Sequence, residues 1–503
     1  MRKFWLLLTA TLSLSPALAQ SAAAPSRPEV RNPAPGELRG LWVDAFGPGL
    51  RTPQEIDRLV ADARAMGVNV LFAQVGRRGD CYCNNAAMPR TEDPAVPAGF
   101  DPLQDLITKA HAQGIQVHAW IITTAIWNRL EAPKDPAHVF NTHGPSAQGS
   151  DNWLMVRHDG ATRGGADYYL DPGHPQAAAY IREMYLSVVR NYDVDGIQFD
   201  RVRYPDQNEP AGQASWGYNP VALERYRAET GASGIPAPND ERWKAWRRQQ
   251  VTHLVRSVYL EAKALKPNLW VSAATITYGE GPATLRDFRT KTRTYNEVLQ
   301  DWESWTRLGY LDLNVMMNYK RDFVPAQASW FDQWNAFGRL ARGPRYVVSG
   351  AAIYLNDQAS SVNQARKAQE AGLDGWAGYS YRTPDADVNA QKRTYLEVLP
   401  ELAGKLTGPG APFAQTASWG QPSRGLHAIR GRVTAQRGPL GGRSVELWTG
   451  GRLFARTQTD GEGRYGFVIF PLGEVELRTE GAAPLRLTPA LGRVNDAPEL
   501  SIP

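Results

Sequence analysis

The chain of 503 residues is expected to fold as an α/β protein: a parallel (β/α)8 barrel with long loops on one face, then a small all-β sandwich domain. Three observations predict this. Short apolar runs alternate with helix-period segments eight times from Glu37 onward. The segments after several of these runs are long, while the segments before them are short. Beyond about Gly404 the helical period stops, and short alternating strands separated by glycine turns take over.

The eight strand-like runs are 39–45, 69–75, 116–122, 196–200, 269–275, 312–318, 346–352 and 375–379. A helical stripe of Ile56, Leu59, Val60 and Ala63 follows the first. Ala177, Tyr180, Ile181, Met184 and Val188 precede the fourth; Leu254, Val255, Val258, Ala262 and Leu265 precede the fifth. Alternation of this kind calls for parallel pairing, and closure into an eight-stranded TIM barrel is the most economical way to satisfy it. The alternative is an open doubly wound sheet, but nothing here resembles its glycine-rich dinucleotide turn.

Long loops follow strands two to five, at 76–100, 123–173, 201–218 and 276–294, whereas Gly67-Val68, Gly114-Ile115 and Pro267-Asn268 are short entries. In a barrel the long-loop face carries the chemistry. The barrel domain is expected over 37–405. Residues 406–424 are rich in Gly, Pro and Ser and read as a linker. The β-sandwich follows at 425–503, with runs 428–434, 444–447, 465–469 and 474–478 between the turns Gly441-Gly442, Gly450-Gly451 and Asp460-Gly461.

The N-terminal residues carry an address. Arg2 and Lys3 precede an apolar stretch from Phe4 to about Leu14, and Ala17-Leu18-Ala19 is a small-x-small cleavage site. Residues 1–19 therefore read as a signal peptide and 20–36 as a linker. The apolar run is shorter than the roughly 20 residues a membrane span requires. Export to the periplasm or the medium, without stable membrane insertion, is expected. Cys81 and Cys83 are the two cysteines, and they form either a local disulfide or two free thiols. No CxxC or HxxxH accompanies them, so no metal and no cofactor is expected. At 42% hydrophobic and 21% charged the chain is not disordered. Its net charge of +5 is not gathered into a basic stripe, which speaks against nucleic acid but leaves an anionic polymer open.

The segment Asn191-Tyr192-Asp193-Val194-Asp195-Gly196-Ile197-Gln198-Phe199-Asp200-Arg201-Val202-Arg203-Tyr204-Pro205 concentrates the chemistry. Strand alternation sends Ile197 and Phe199 to the helices and Gln198 and Asp200 into the barrel. Asp200 then closes its strand at the mouth, with Arg203 close enough in sequence to hold it ionised. A carboxylate so placed suits attack on, or support of, an oxocarbenium-like centre; the alternative is a structural Arg–Asp pair. The same alternation selects Trp42, Asp44, Gln74, His118, Trp120, Asn314 and Asn318 as inward residues. Arg77, Arg203, Tyr204 and Tyr319 lie just past strand ends. Together they describe a mouth of amides, an imidazole and aromatic rings, which matches the hydroxyl edges and apolar faces of sugars. Trp127, Trp153, Trp216, Trp376, Tyr278 and Tyr381 are further stacking surfaces or core. Glycoside hydrolysis usually needs a second carboxyl. Glu280 after strand five is the first candidate for it, then Asp322 after strand six, with Asp80 and Asp44 behind them.

Five ordered motifs resemble a known family. They are Glu37-Leu38-Arg39-Gly40-Leu41-Trp42-Val43, residues 69–75, Ala110-His111 with residues 114–120, Tyr169-Leu170-Asp171-Pro172-Gly173, and residues 195–205. Over about 37–400 the chain looks like the glycosyl-hydrolase-like family 10 of bacteria. The resemblance implies a TIM barrel related to the α-amylase and α-galactosidase assemblages. It also implies an activity, since at least some members hydrolyse peptidoglycan glycan strands stripped of stem peptides. Residues 195–200 are similar to the α-amylase pattern Asp-Gly-x-Arg-x-Asp, whose final Asp is the nucleophile; this points to Asp200, with Gln198 in place of the arginine. The acid of that clan follows strand five, which points to Glu280. Residues 426–480 resemble carboxypeptidase-regulatory-like or transthyretin-like sandwiches.

The leading expectation is a secreted or periplasmic glycosidase acting on an envelope polysaccharide, with peptide-free peptidoglycan strands first among the substrates. A non-catalytic glycan-binding envelope protein on a barrel scaffold is the alternative. A polysaccharide deacetylase would need a His/Asp metal cluster, which His111 and His118 do not form.

Overall fold

Eight parallel strands close into a barrel: β1 Leu38–Val43, β2 Val70–Gly76, β3 Gln116–Ile122, β4 Gly196–Asp200, β5 Trp270–Ile276, β6 Leu313–Met317, β7 Tyr346–Ala352 and β8 Gly375–Tyr379, with β8 paired to β1. The computed structural model describes residues 36–422, 427–468, 470, 471 and 473–503. The expected signal peptide, all but the last residue of the 20–36 linker, and residues 423–426 lie outside the described residues. The helical layer is α1 Pro53–Ala65, α2 Pro102–His111, α3 Pro175–Asn191, α4 Glu241–Leu265, α5 Trp302–Leu308, α6 Pro325–Ala341, α7 Gln358–Glu370 and α8 Tyr395–Thr407. Several begin alike. Thr52, Asp101 and His174 cap α1, α2 and α3, and a proline follows at the first helical turn, where its missing N–H costs nothing. α8 opens on a reciprocal capping box between Thr394 and Glu397.

One device recurs four times at the base of the barrel. The residue just before each even strand (Asn69, Asp195, Asp312 and Asp374) donates its N–H to the carbonyl of the second residue of the preceding odd strand. Its side-chain oxygen accepts the N–H of that same residue: Arg39 at 2.8 Å, Val117 at 2.8 Å, Val271 at 3.0 Å and Val347 at 2.8 Å. The barrel stagger would leave those N–H groups without a strand partner, and a short acidic or amide side chain supplies the acceptor.

The interior is filled by large side chains seated against glycines. A Cβ on Gly350 would lie 2.5 Å from the Trp42 ring, and one on Gly196 would lie 2.7 Å from the His118 ring. The segment expected as a linker after α8 instead crosses the base. Trp419 stacks on Trp270 at 4.9 Å, and Gln116 and Trp270 donate to the carbonyls of Trp419 and Gly420. Beyond it two sheets form the sandwich. One is centred on Ala428–Ala435, the other on the antiparallel Ser444–Thr449 and its neighbours. This domain sits on α3 and α4: Arg256 donates to the Gln458 and Arg464 carbonyls, and Glu261 pairs with Arg430 and Arg464. No helix among the described residues is long and apolar enough to cross a membrane.

Buried histidines make the fold acid-sensitive. His174 caps α3 with Nδ1 accepting from Ala177 N while Nε2 donates to Ser150 O at 2.9 Å, so neither nitrogen has room for another proton. Burial pushes its pKa down to about 4 and that of His118 to about 3. In the unfolded chain both protonate below about 6.5. Between that value and about 4 the unfolded state therefore binds more protons, and stability is lost as pH falls. His174 alone accounts for about 3 kcal/mol of this loss. Denaturation midpoints are expected to drop from pH 6.5 to 4. His174→Asn, which keeps a capping oxygen, should flatten the profile by about one proton; an unchanged slope would show that His174 carries none of it.

Candidate active site

Strand register decides what reaches the mouth. Trp42 pairs with Tyr379 and Phe72, Gln74 with Trp120, Trp120 with Gln198, and Ile122 with Asp200, so all of these share the inner face. Trp42 Nε1 donates to Gln198 Oε1 at 2.7 Å, forming a floor below the mouth. Above it Asp200, at the C-terminal end of β4, accepts from Trp120 Nε1 at 3.1 Å and from the N–H of Arg201 at 2.6 Å. Arg201 has φ of +48°, so the chain turns sharply directly after the amide that bonds the carboxylate. The Arg201 side chain turns away to Asp167, 2.6 Å distant.

Three tyrosines cluster at the mouth, two of them, Tyr319 and Tyr379, within reach of the Asp200 charge. Tyr379 closes β8, Tyr319 lies two residues past β6, and Tyr354 follows β7; all are half-buried. Ring centroids of Tyr379 lie 5.6 Å from Tyr319, 5.8 Å from Tyr354 and 6.1 Å from both Trp42 and Trp120. Burial, then the charges of Asp44 and Asp200, raise the Tyr379 hydroxyl above its ordinary pKa; burial, Tyr379 and Asp200 raise that of Tyr319. Both hydroxyls are therefore neutral donors beside the carboxylates.

Asp44 is the second carboxylate of this cluster. It is 1% exposed, and both of its oxygens are engaged. Oδ1 accepts from Phe46 N and from Arg382 Nε at 2.7 Å; Oδ2 accepts from Ser380 Oγ and from Arg382 Nε at 2.9 Å. Gln74 Oε1 accepts from Ala45 N, while its buried Nε2 has no hydrogen-bond partner among the described residues. Arg77 is held at the rim by the Tyr82 hydroxyl at 2.8 Å and by Asp80. Tyr82 stands between Cys81 and Cys83, which are bridged as a disulfide.

The structure thus gathers Trp42, Asp44, Gln74, Trp120, Asp200 and Tyr319 around one mouth, with Arg77 at its edge. It places the other expected residues elsewhere. His118 points inward but lies low in the barrel, level with Gly196 and Phe72, far below the strand ends. Asn318 faces outward, donating to Phe331 O at 2.9 Å and Asn335 Oδ1 at 3.1 Å on α6. Asn314 likewise bonds Thr275 on the outer face. In β6 the polar residues serve the helix layer, and Leu313, Val315 and Met317 take the inner face. Arg203 is nearest Asp206, at 3.9 Å, rather than Asp200. Tyr204 is buried beneath the loops, its hydroxyl 3.4 Å from Asp171.

The two nominated acids also diverge. Asp322 faces α7, bonded to Asn363 at 2.9 Å and paired with Lys367 at 3.4 Å. Glu280 is exposed on the loop after β5 and makes no hydrogen bond or ion pair among the described residues, while Gly279 and Gly281 on either side of it are tied to Trp334 and Gln333 of α6. The sequence reading missed Tyr379, Tyr354, Ser380 and Arg382. The alternation Gly375, Ala377, Tyr379 could have found the first, since β8 keeps only small residues inside below it. Arg382 has no local signal, because it meets Asp44 across 338 residues of chain. No group of three or more His, Cys, Asp or Glu among the described residues is arranged to hold a metal ion.

A mouth of a buried, hydrogen-bonded carboxylate at the strand end, tyrosine rings and amide edges at the C-terminal end of a barrel can bind and polarise a sugar ring. The model of the family described as "Glycosyl hydrolase-like 10" matches residues 37–370. The chain is 27% identical over 253 residues to "Glycosyl hydrolase DigH" of Escherichia coli (strain K12), covering 49% of this chain and 53% of that protein. It is 25% identical over 328 residues to "Glycosyl hydrolase YngK" of Bacillus subtilis (strain 168), covering 60% and 55% respectively. The matched region thus spans about half the length of these curated relatives. Among solved structures, the PgaB (BpsB) glycoside hydrolase domain from Bordetella bronchiseptica superposes with a TM-score of 0.50 at 14% identity, over 73% of this chain and 99% of that one, a likeness of fold.

Proposed function

The chain belongs to the glycosyl hydrolase-like 10 family, and from that premise we propose that it is an exported glycoside hydrolase of the bacterial envelope, cleaving peptide-free peptidoglycan glycan strands. One observation carries the reading: Asp200 stands at the C-terminal end of β4, oriented by Trp120 Nε1 and the Arg201 amide, beside the half-buried Tyr319 and Tyr379. Asp200 is the nucleophile or electrostatic stabiliser of an oxocarbenium-like centre. The tyrosine faces stack the sugar rings, and their neutral hydroxyls bond ring substituents. Asp44, held by Arg382 and Ser380, is a positioning group that fixes the β1 end against the β8 loop.

Of the two acids nominated to protonate the leaving oxygen, Glu280 is the one without a partner, and we assign the role to it. Glu280→Gln is expected to lower kcat by roughly 10²–10⁴-fold and to remove the alkaline limb of the pH–rate profile. A wild-type kcat in this variant would move the acid to another residue. The function itself is tested by release of new reducing ends from purified peptide-free glycan strands, with mass analysis naming the bond cut.

A second reading is favoured by a specific feature. Asp44 is fully engaged, Asp322 is turned away, and Glu280 is exposed on a loop tied to α6, so among the described residues no second carboxylate is hydrogen-bonded into place against Asp200. A glycan-binding protein would show saturable binding with no new reducing ends.

A further inference from the structure

We propose, on the basis of the hydrolase reading, that this mouth recognises a carboxylate carried by its glycan: Arg382 binds the carboxylate of a sugar seated on the tyrosine face, and Arg321 at the other end of that face binds a second. Arg382 spends only Nε on the protein, on Asp44. Its two terminal amino groups make no hydrogen bond among the described residues, although the side chain is 37% exposed at the mouth. A guanidinium normally engages a carboxylate with two parallel N–H groups. Here the two-donor edge is left open, on a group whose orientation is already fixed from behind. The stem is fixed as well, since a Cβ on Gly47 would collide with Arg382 Cδ.

The arrangement continues across three neighbouring loops. Arg382 lies three residues past Tyr379, whose ring packs 5.8 Å from Tyr354 and 5.6 Å from Tyr319; Arg321 lies two residues past Tyr319, whose ring is 6.3 Å from Tyr354, and its charge acts on Tyr354. Arg321 is half-buried and has no ion pair among the described residues. Two cations therefore bracket an aromatic face, one after β8 and one after β6. A neutral glycan would offer no counter-charge to the open edge of Arg382 or to Arg321. An anionic one needs both, because Asp44 and Asp200 on the same mouth would otherwise repel it. A polymer with a carboxylate on alternate sugars meets the tyrosines with its ring faces and the arginines with its charges.

The experiment uses the full chain and two probes: peptide-free glycan strands with free carboxylates, and the same strands with the carboxylates reduced to alcohols. Reducing-end release and calorimetric binding are measured for wild type, Arg382→Gln, Arg382→Lys and Arg321→Gln. Wild-type kcat/KM is expected to fall about tenfold or more on reduced strands. Arg321→Gln, which is clear of Asp44 and Asp200, should show a similar loss on native strands, as a raised KM with kcat kept. The gap between wild type and the variants should close on reduced strands, and Arg382→Lys should recover part of the Arg382→Gln loss. Equal treatment of the two probes by wild type, or variant losses equal on both, overturns the proposal. If wild type cleaves neither probe, the hydrolase reading fails by itself. Binding then decides: tighter binding of the carboxylate form that weakens in the arginine variants sustains the proposal, and equal or absent binding overturns it.

Discussion

Asp200→Asn is expected to leave a folded protein with turnover reduced by about 10³-fold or more. The substitution is nearly isosteric, and its carbonyl oxygen can keep the Trp120 Nε1 or the Arg201 N–H bond. What disappears is the negative charge and the nucleophilic oxygen at the strand end. Asp44, the other carboxylate of this cluster, does not replace them, because both of its oxygens are held by Arg382, Ser380 and the Phe46 amide. Release of reducing ends from peptide-free glycan, read beside a thermal melt of each protein, is the measurement. Residual activity near wild type in a folded Asp200→Asn protein would sink the assignment. Trp120→Phe separates orientation from charge: it removes one hydrogen bond to Asp200 and should cost about tenfold, well short of the loss of the carboxylate.

Asp312→Ala is expected to destabilise the barrel by about 3–5 kcal/mol. Asp312 has no exposed surface and holds two cations, Lys263 at 2.8 Å and Arg345 at 3.1 Å, besides accepting the Val271 N–H at 3.0 Å. Burial pulls the Lys263 ammonium below its ordinary pKa, and the Asp312 charge works against that pull. Truncation strands two buried positive charges and an unpaired strand amide at once. Asp312→Asn keeps an acceptor for the amide and should cost less. Denaturant midpoints of the three proteins give the comparison, and a shift below about 1 kcal/mol for the alanine variant would mean that the two cations relax to solvent.

The barrel was legible because its elements are local. Apolar runs, the Pro and N-cap pairs at helix starts, and the acidic residues before β4, β6 and β8 are all written within a few residues of where they act. Asp200, Trp120, Trp42 and Gln74 were reachable by strand alternation, and register confirms their shared inner face. Alternation fails in β6, where the register turns Asn314 to the outer face. On the outer face Asn314 instead bonds Thr275 of the neighbouring strand, and Asn318 bonds Phe331 O and Asn335 of α6. His118 shows the complementary limit, since facing inward does not fix height along the barrel axis, and the height decides access.

By itself the amino-acid sequence determined the fold class, the face that carries the loops and the carboxylate at the end of β4. Each depends on periodicity and spacing, which are properties of short stretches of chain. The tertiary structure decided which side chains share the mouth. It brought Arg382 onto Asp44 across 338 residues, packed Tyr319, Tyr354 and Tyr379 against one another in edge-on and tilted contacts, and turned Asp322 toward Lys367. Those choices depend on barrel closure, which joins β8 to β1 and places the last loop beside the first; no pattern within either loop encodes it.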